Sequence, residues 1–177
     1  FDKPMIYYPL STLMSIGIKE ILVITTPYDL EKFKYLLKDG KQWGISIEYE
    51  VQQYPNGIAE ALLIGEKFIN NSEIVLILGD NIFHGNDLAN RIKIALSDNI
   101  PTIFVYPVKN PSEYGIVEFD KNQNPIKLIE KPKSPKSKFA ITGMYFYDKN
   151  SIKYAKKLKP SKRNELEITD LNNIYLS

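Results

Sequence analysis

The sequence predicts a mostly parallel α/β sheet of the three-layer, Rossmann-like α/β/α type, with antiparallel strands added to it. Three observations support this fold class. Strand-like and helix-like segments alternate in the first half of the chain, whereas later strand-like segments follow one another across turns. Residues 74–78 are all apolar, which is typical of a strand buried on both faces of a parallel sheet. The 177 residues, 44% hydrophobic and 25% charged, are typical of one soluble globular domain.

The first half of the chain alternates helices with strands. Apolar residues at helical spacing over residues 6–14 predict a first helix that ends at Gly17, and Pro9 inside it predicts a kink or a late start. Residues 26–29 combine a cap hydroxyl, a proline and an acid, so they predict a helix that stops before Gly40. The other predicted elements of this half are strands at 20–25, 46–51, 74–78 and 102–106, and helices at 58–69 and about 87–96.

The second half predicts strands that are joined by turns or loops. They lie at residues 115–119, 125–130 and 141–147, and helices return near 151–158 and 167–176. Directly joined strands pair antiparallel, which adds antiparallel strands to the parallel sheet. No internal repeat or Pro/Gly-rich linker divides the chain, so we expect a single domain over residues 1–177.

Composition excludes several classes of function. The net charge of +2 comes without a large basic block, so nucleic-acid binding has no electrostatic footprint. The chain has no cysteine, which excludes disulfides and thiolate chemistry, and its single histidine, His84, predicts a solvent-facing loop residue. No apolar run reaches membrane-spanning length and no signal peptide is present, so we expect a cytoplasmic protein with no membrane partner. The ends at Phe1 and Ser177 suggest a piece of a longer chain.

Asp80 and Asn81 directly follow the apolar strand at 74–78 and are the strongest candidate site. Ligands of open α/β sheets bind beyond the carboxyl ends of such strands. A carboxylate there is costly to desolvate without a partner, and Mg²⁺ on a substrate phosphate would supply one. A capping role for Asp80 in the next turn is the equally weighted alternative.

Two further loops carry candidate ligand contacts. In the loop Gln52–Gly57, the amide of Gln52 suits the edge of a pyrimidine base, and Gly57 opens a helix with free backbone N–H groups. Gly115 follows an aromatic residue and permits close approach of a ligand to the backbone. Taken alone, both patterns are more often a polar surface turn and a simple bulge.

Charged residues follow two other predicted elements. Glu130 and Lys131 end a strand, where an acid could hold a sugar hydroxyl and an ammonium could hold a phosphate. Two surface charges at a strand end are the commoner case. Glu165 and Glu167 near a helix start are usually complements of the helix dipole.

Six motifs, in this order, together resemble the glucose-1-phosphate thymidylyltransferases, a family of sugar nucleotidyltransferases. The motifs are Asp2-Lys-Pro-Met-Ile-Tyr-Tyr-Pro-Leu10, Leu78-Gly-Asp-Asn-Ile-Phe83, Tyr114-Gly-Ile-Val-Glu-Phe-Asp120, Glu130-Lys-Pro-Lys133, Thr142-Gly-Met-Tyr-Phe-Tyr-Asp148 and Glu165-Leu-Glu-Ile-Thr-Asp170. The resemblance runs from the first residue to the last. Related uridylyl- and cytidylyltransferases share the fold but not the first motif.

The resemblance implies an enzyme and a reaction. Glucose 1-phosphate would attack the α-phosphorus of dTTP with Mg²⁺ as cofactor, releasing pyrophosphate and dTDP-glucose, the first step of dTDP-rhamnose and deoxysugar biosynthesis. A homotetramer is the implied assembly. The implied roles are thymine contacts from Gln52 and Gly57, Mg²⁺ binding by Asp80, sugar contacts from Asn81, Gly115, Glu130 and the backbone of Ile141, and a grip on the sugar phosphate by Lys131.

The chain departs from the family pattern in two ways. Two residues near the base loop differ, and several features of the family are missing. Gln53 stands where the family has a proline, and Glu60 stands where it usually has glutamine. The family's Gly-rich loop with its arginine and lysine is not among these 177 residues, and neither are the second metal-binding aspartate and the tryptophan that the family has later in its chain. We therefore expect the fragment itself to be inactive. Two alternatives stay open, a UTP-dependent glucose-1-phosphate uridylyltransferase and a non-catalytic subunit that binds sugar nucleotides.

Overall fold

The computed structural model describes residues 3–97 and 100–177, so Asp2 of the first motif lies outside the described residues. The strands are β1 (Glu20–Thr25), β2 (Ser46–Val51), β3 (Ile74–Ile77), β4 (Thr102–Pro107), β5 (Ile116–Phe119), β6 (Pro125–Ile129) and β7 (Phe139–Tyr147). The helices are α1 (Tyr7–Ser15), α2 (Leu30–Leu37), α3 (Glu60–Ile64), α4 (Glu66–Ile69), α5 (Leu88–Ser97), α6 (Ser151–Ala155) and α7 (Ile168–Leu176), with 3₁₀ turns at Lys41–Trp43 and Pro111–Glu113. The alternation predicted for the first half of the chain is therefore confirmed.

The strands form one parallel pair and one antiparallel sheet. β1 and β2 run parallel in continuous register from Glu20 opposite Ser46 to Thr25 opposite Val51. β7 is the centre of the second sheet, with β4 along one edge and β3 and β5 sharing the other, while β6 extends the sheet beyond β5. Among the described strands, the parallel ladder is confined to β1 and β2, and β3 pairs antiparallel with β7 rather than with a parallel neighbour.

The strand that is buried on both faces is β7, whereas the sequence predicts such burial for residues 74–78, which contain β3. Side chains along β7 alternate between two apolar clusters, with Tyr145 and Tyr147 on one face and Met144 and Phe146 on the other. The residues of β3 are half-buried. They contact apolar clusters on both faces, but one edge of the strand is open.

An apolar groove of about 570 Å³ separates β1 from β3. Residues 18–24 form one wall and residues 73–77 the other, while α1 and the α3–α4 segment contribute further lining side chains. The groove reaches Gly79, directly before Asp80. Because this open space lies beside β3, the strand is less buried than a continuous run of five apolar residues predicts.

Several predicted helices differ from the observed ones at their ends. Pro9 lies in the first turn of α1, which confirms the late start. The helix expected at 58–69 is divided into α3 and α4 at Gly65, where the backbone packs close to Leu22 of β1. Residues 26–29 form a turn in which the Thr26 hydroxyl accepts a hydrogen bond from the Asp29 N–H, so α2 begins later than predicted. Within the described ranges, no helix combines the length and apolar content needed to cross a bilayer.

Candidate active site

Asp80 and Asn81 lie just beyond the carboxyl end of β3, as the sequence predicts. The Asn81 carboxamide donates through Nδ2 to Asp80 Oδ1 at 2.8 Å, and its Oδ1 accepts from the Gly143 N–H of β7 at 3.0 Å. The Asp80 side chain is exposed to solvent. The carboxylate is therefore held in orientation by a neighbour that is itself anchored to the central strand.

The carboxylate of Asp80 is a suitable ligand for a magnesium ion. Its Oδ1 accepts from Asn81, and its Oδ2 meets no hydrogen-bond donor in residues 3–97 and 100–177. The same ranges contain no cluster of three or more acidic, histidine or cysteine side chains placed to enclose a metal ion. Mg²⁺ commonly binds through one or two carboxylates, with substrate phosphates and water completing its octahedron. A single exposed carboxylate is compatible with that mode.

Gln52 and Gly57 meet in the loop after β2. Gln52 Nε2 donates to the Gly57 carbonyl at 3.1 Å and to Glu60 Oε2 at 2.7 Å. Gly57 has a left-handed φ of 101°, and a Cβ there would lie 2.6 Å from Leu166 N and closer still to Leu166 O. The Leu166 N–H in turn donates to the Asn56 carbonyl. Glycine is therefore required at position 57 by both conformation and space.

Gly115, Glu130, Lys131 and Ile141 come together at the junction of β5, β6 and β7. The Ile141 N–H donates to the Gly115 carbonyl at 2.8 Å, and a Cβ on Gly115 would lie 3.0 Å from Glu130 Oε2. The Lys131 N–H donates to the Tyr114 carbonyl at 3.1 Å. The Ile141 N–H is already engaged, so a ligand contact from its backbone would have to use the carbonyl. Lys131 is exposed, and no ion pair engages its ammonium group within the described residues.

Arg163 supplies a charge that sequence reasoning missed. Its guanidinium binds the Glu167 carboxylate through two hydrogen bonds of 3.1 and 2.9 Å, donates to Glu165 at 2.9 Å, and lies 3.6 Å from Glu130 Oε1. Ser161 donates to the same Glu167 carboxylate at 2.6 Å. The acids predicted as helix-dipole complements are thus also partners of Arg163. Residues 161–167 are not helical, so their spacing gave no signal of the contact.

Glu130 is held from the other side by Thr169 of α7. The Thr169 hydroxyl donates to Glu130 Oε2 at 3.1 Å. Burial raises the pKa of Glu130, and repulsion from Glu167 adds to this, while the Thr169 hydrogen bond and the positive charges of Arg163 and Lys131 act in the opposite direction. Burial also opposes ionisation of Glu167, but hydrogen bonds from Arg163 and Ser161 hold the pKa of Glu167 below its ordinary value.

The backbone around Leu166 connects the base loop to the Glu130 region. Leu166 bonds to both sides of Gly57, through the Asn56 carbonyl and the Ala59 N–H, and Thr169 lies three residues further along the chain. On the other side, Asn81 reaches β7 at Gly143, two residues from Ile141. His84 is exposed, as predicted, and makes no contribution to these contacts.

Comparisons with known proteins agree with this architecture. A family profile described as nucleotidyl transferase matches residues 1–177. A glucose-1-phosphate thymidylyltransferase of Neisseria meningitidis is 54% identical over 177 residues, and one of Mycolicibacterium smegmatis is 49% identical. The alignments cover 99% and 100% of this chain but 62% of each relative. The chain therefore spans less than two thirds of the length of these curated relatives.

Solved structures place the fold in the same group. A crystal structure described as a glucose-1-phosphate thymidylyltransferase of Bacillus anthracis, in complex with a sucrose, superposes with a TM-score of 0.87 at 39% identity. The superposition covers 98% of this chain and 70% of the Bacillus chain. A UDP-glucose pyrophosphorylase complexed with UDP-glucose shares the fold with a TM-score of 0.82 at 23% identity. By its sequence profile and its fold, the chain belongs to the nucleotidyl transferase family.

Proposed function

We propose that the protein to which this chain belongs transfers a thymidylyl group from dTTP to glucose 1-phosphate, giving dTDP-glucose and pyrophosphate. The observation that carries the proposal is that hydrogen bonds and short stretches of backbone link the three candidate groups, around Gln52, Asp80 and Glu130. The names of relatives that are about half identical to the chain support the choice of substrates.

On the nucleotide side, Gln52 and Gly57 are proposed to contact the base. Gln52 is half-buried and its carboxamide faces the start of the α3 segment. The N–H of Gly57 donates to no backbone carbonyl of the described residues. A backbone N–H at this position suits a carbonyl oxygen of a pyrimidine.

On the sugar side, Glu130 is proposed to bind the sugar hydroxyls and Lys131 the phosphate. The Glu130 carboxylate would accept hydrogen bonds from sugar hydroxyls, while the absence of a side chain at Gly115 leaves the space that Thr169 and Glu130 occupy. The Lys131 ammonium group is exposed and would bind the phosphate of glucose 1-phosphate as a compact positive charge. Asn81 and the carbonyl of Ile141 would border the sugar.

The reaction proposed is an in-line displacement at the α-phosphorus of dTTP. A phosphate oxygen of glucose 1-phosphate forms the new P–O bond as the bond to pyrophosphate breaks, and pyrophosphate leaves with the bonding electron pair. Asp80 would hold Mg²⁺, which neutralises phosphate charge at the reacting centre. The described residues would position the two substrates and supply part of the positive charge that such a transfer requires.

The test is pyrophosphate release by the complete protein from glucose 1-phosphate with dTTP, and in parallel with UTP. We expect release with dTTP, and Mg²⁺ should be required. Preference for UTP would replace the thymidylyl assignment by the uridylyl one, and no release with either nucleotide would favour a non-catalytic binding subunit. Homotetrameric assembly and a cytoplasmic location are also proposed for the complete protein, and light scattering and cell fractionation respectively test them.

A further inference from the structure

Glu60 fixes the orientation of the Gln52 carboxamide. Gln52 Nε2 carries two hydrogens, and both are engaged, one by the Gly57 carbonyl at 3.1 Å and one by Glu60 Oε2 at 2.7 Å. A backbone carbonyl and a carboxylate are both pure acceptors. Rotating the carboxamide by half a turn would bring its oxygen against two acceptors. The NH2 group must therefore face Gly57 and Glu60, and Gln52 Oε1, which accepts no hydrogen bond within residues 3–97 and 100–177, stays available to a ligand.

The Glu60 carboxylate is itself held in place. Its Oε1 accepts from Asn56 Nδ2 at 2.8 Å, while its Oε2 accepts from Gln52. Glu60 is half-buried in the first turn of α3. One carboxylate thus ties together two amide side chains of the base loop, and neither amide can reverse without losing a charge-assisted hydrogen bond.

A glutamine at position 60 would not impose this orientation. A carboxamide can donate or accept, so it could pair with either orientation of Gln52. The family pattern usually has glutamine at this position, whereas this chain has Glu60. Exchanging the carboxylate for a carboxamide removes a negative charge and replaces one acceptor oxygen by a donor, which affects the pairing with both Gln52 and Asn56.

We propose that Glu60 is a positioning residue for base specificity, because it makes Gln52 a pure acceptor toward the nucleotide. The inference rests on the proposed role of Gln52 at the base. A pure acceptor requires an N–H on the pyrimidine edge, which thymine and uracil offer at N3. Cytosine carries a lone pair at N3, so it meets repulsion there unless the base moves by one ring position to bring its N4 amine opposite Gln52.

Equilibrium binding of dTTP and dCTP to the complete protein, without sugar phosphate, tests the inference. We expect the wild type to prefer dTTP and Glu60→Gln to reduce that preference by about tenfold, the equivalent of about one hydrogen bond. N3-methyl-dTTP, which lacks the N3 hydrogen, should bind the wild type poorly. Glu66→Gln is the matched control, because Glu66 also lies in the α3–α4 segment but pairs with Lys156, away from Gln52.

A double variant separates positioning from a general effect on folding. Because Glu60 acts through Gln52, Glu60→Gln should change the dTTP/dCTP ratio little in a Gln52→Ala background. An unchanged ratio in the single Glu60→Gln variant, or failure of the wild type to bind either nucleotide, would overturn the inference. Absence of pyrophosphate release with intact, selective dTTP binding would instead count against the proposed reaction and leave the role of Glu60 in place.

Discussion

Asn81 Nδ2 donates to Asp80 Oδ1 at 2.8 Å while Asn81 Oδ1 accepts from the backbone of β7. The carboxamide uses both of its ends, so the orientation of Asp80 depends on the central strand of the antiparallel sheet rather than on the loop alone. An exposed carboxylate at the end of a strand would otherwise sample several rotamers. The pair therefore offers a pre-oriented oxygen ligand at the carboxyl end of β3.

Asp80→Asn in the complete protein should reduce turnover by about two orders of magnitude or more, because it removes the charge that would hold the cation at the transition state. Asp80 is exposed and accepts one hydrogen bond, so the thermal midpoint should change little. Steady-state pyrophosphate release at limiting Mg²⁺ and a thermal melt measure the two effects. Near-normal turnover at limiting Mg²⁺ would remove Asp80 from the site.

Lys131→Ala should raise the KM for glucose 1-phosphate by about tenfold or more and affect dTTP far less, since a charge-assisted hydrogen bond to the sugar phosphate is lost. Lys133→Ala, which removes another exposed lysine of the same loop, is the control. Initial rates over a grid of both substrate concentrations separate the two KM values. An equal loss for both substrates would contradict the assignment.

Gly57→Ala should lower the free energy of unfolding by about 2–4 kcal/mol, because it adds backbone strain at a φ of 101° to a clash with Leu166. Gly44→Ala tests strain alone, since φ is 71° there and nothing lies near the added Cβ. That control should cost about 1 kcal/mol. Urea unfolding of both variants gives the comparison, and equal losses would show that the Leu166 contact yields easily.

Acid should weaken the fold partly through Glu167. The pKa of Glu167 is lower in the folded state than in the unfolded chain, so its contribution is present above the ordinary glutamate pKa of about 4.3 and is lost as the pH falls toward the lowered value. The gap in unfolding free energy between wild type and Glu167→Gln should therefore narrow below that pH. Glu48→Gln, at an exposed position on β2, controls for removal of one acid. A gap that stays constant would exclude the effect.

Residues 1–177 alone should not synthesise dTDP-glucose at a useful rate. A nucleoside triphosphate and a sugar phosphate bring several negative charges together, and Lys131 with one cation at Asp80 offsets them in part. The open groove between β1 and β3 should also promote self-association through its apolar lining. Side-by-side assays and sedimentation of this segment and the complete protein measure both effects. Comparable rates would show that these residues suffice.

The sequence predicts the elements well and their partners less well. Strands at Glu20–Thr25 and Ser46–Val51 match because their β-branched or alternating patterns are local signals. The antiparallel pairing of β3 with β7 joins segments more than sixty residues apart, and no local pattern encodes it. The apolar run of β3 predicts a strand that is buried on both faces, yet its open edge leaves it half-buried. Burial depends on which strands pack beside it, and the local pattern does not specify them.

The candidate site shows the same division. Asp80, Gln52 and Glu130 stand out because their residue types follow strands directly, and the family resemblance joins them. Arg163 and Thr169 reach Glu130 through contacts between distant segments, so sequence reasoning had no spacing rule with which to find them. Glu60 departs from the family pattern, but its bonds to Gln52 and Asn56 become visible only in the fold.

Leu166 gives the two proposed substrate pockets a common piece of backbone. Its N–H and carbonyl bind the base loop on either side of Gly57, and the same segment continues to Thr169, which holds Glu130. If a bound nucleotide orders this segment, the sugar phosphate binds with a smaller loss of conformational entropy. Such coupling is reciprocal. If bound nucleotide increases the affinity for the sugar phosphate by a given factor, bound sugar phosphate increases the affinity for the nucleotide by the same factor.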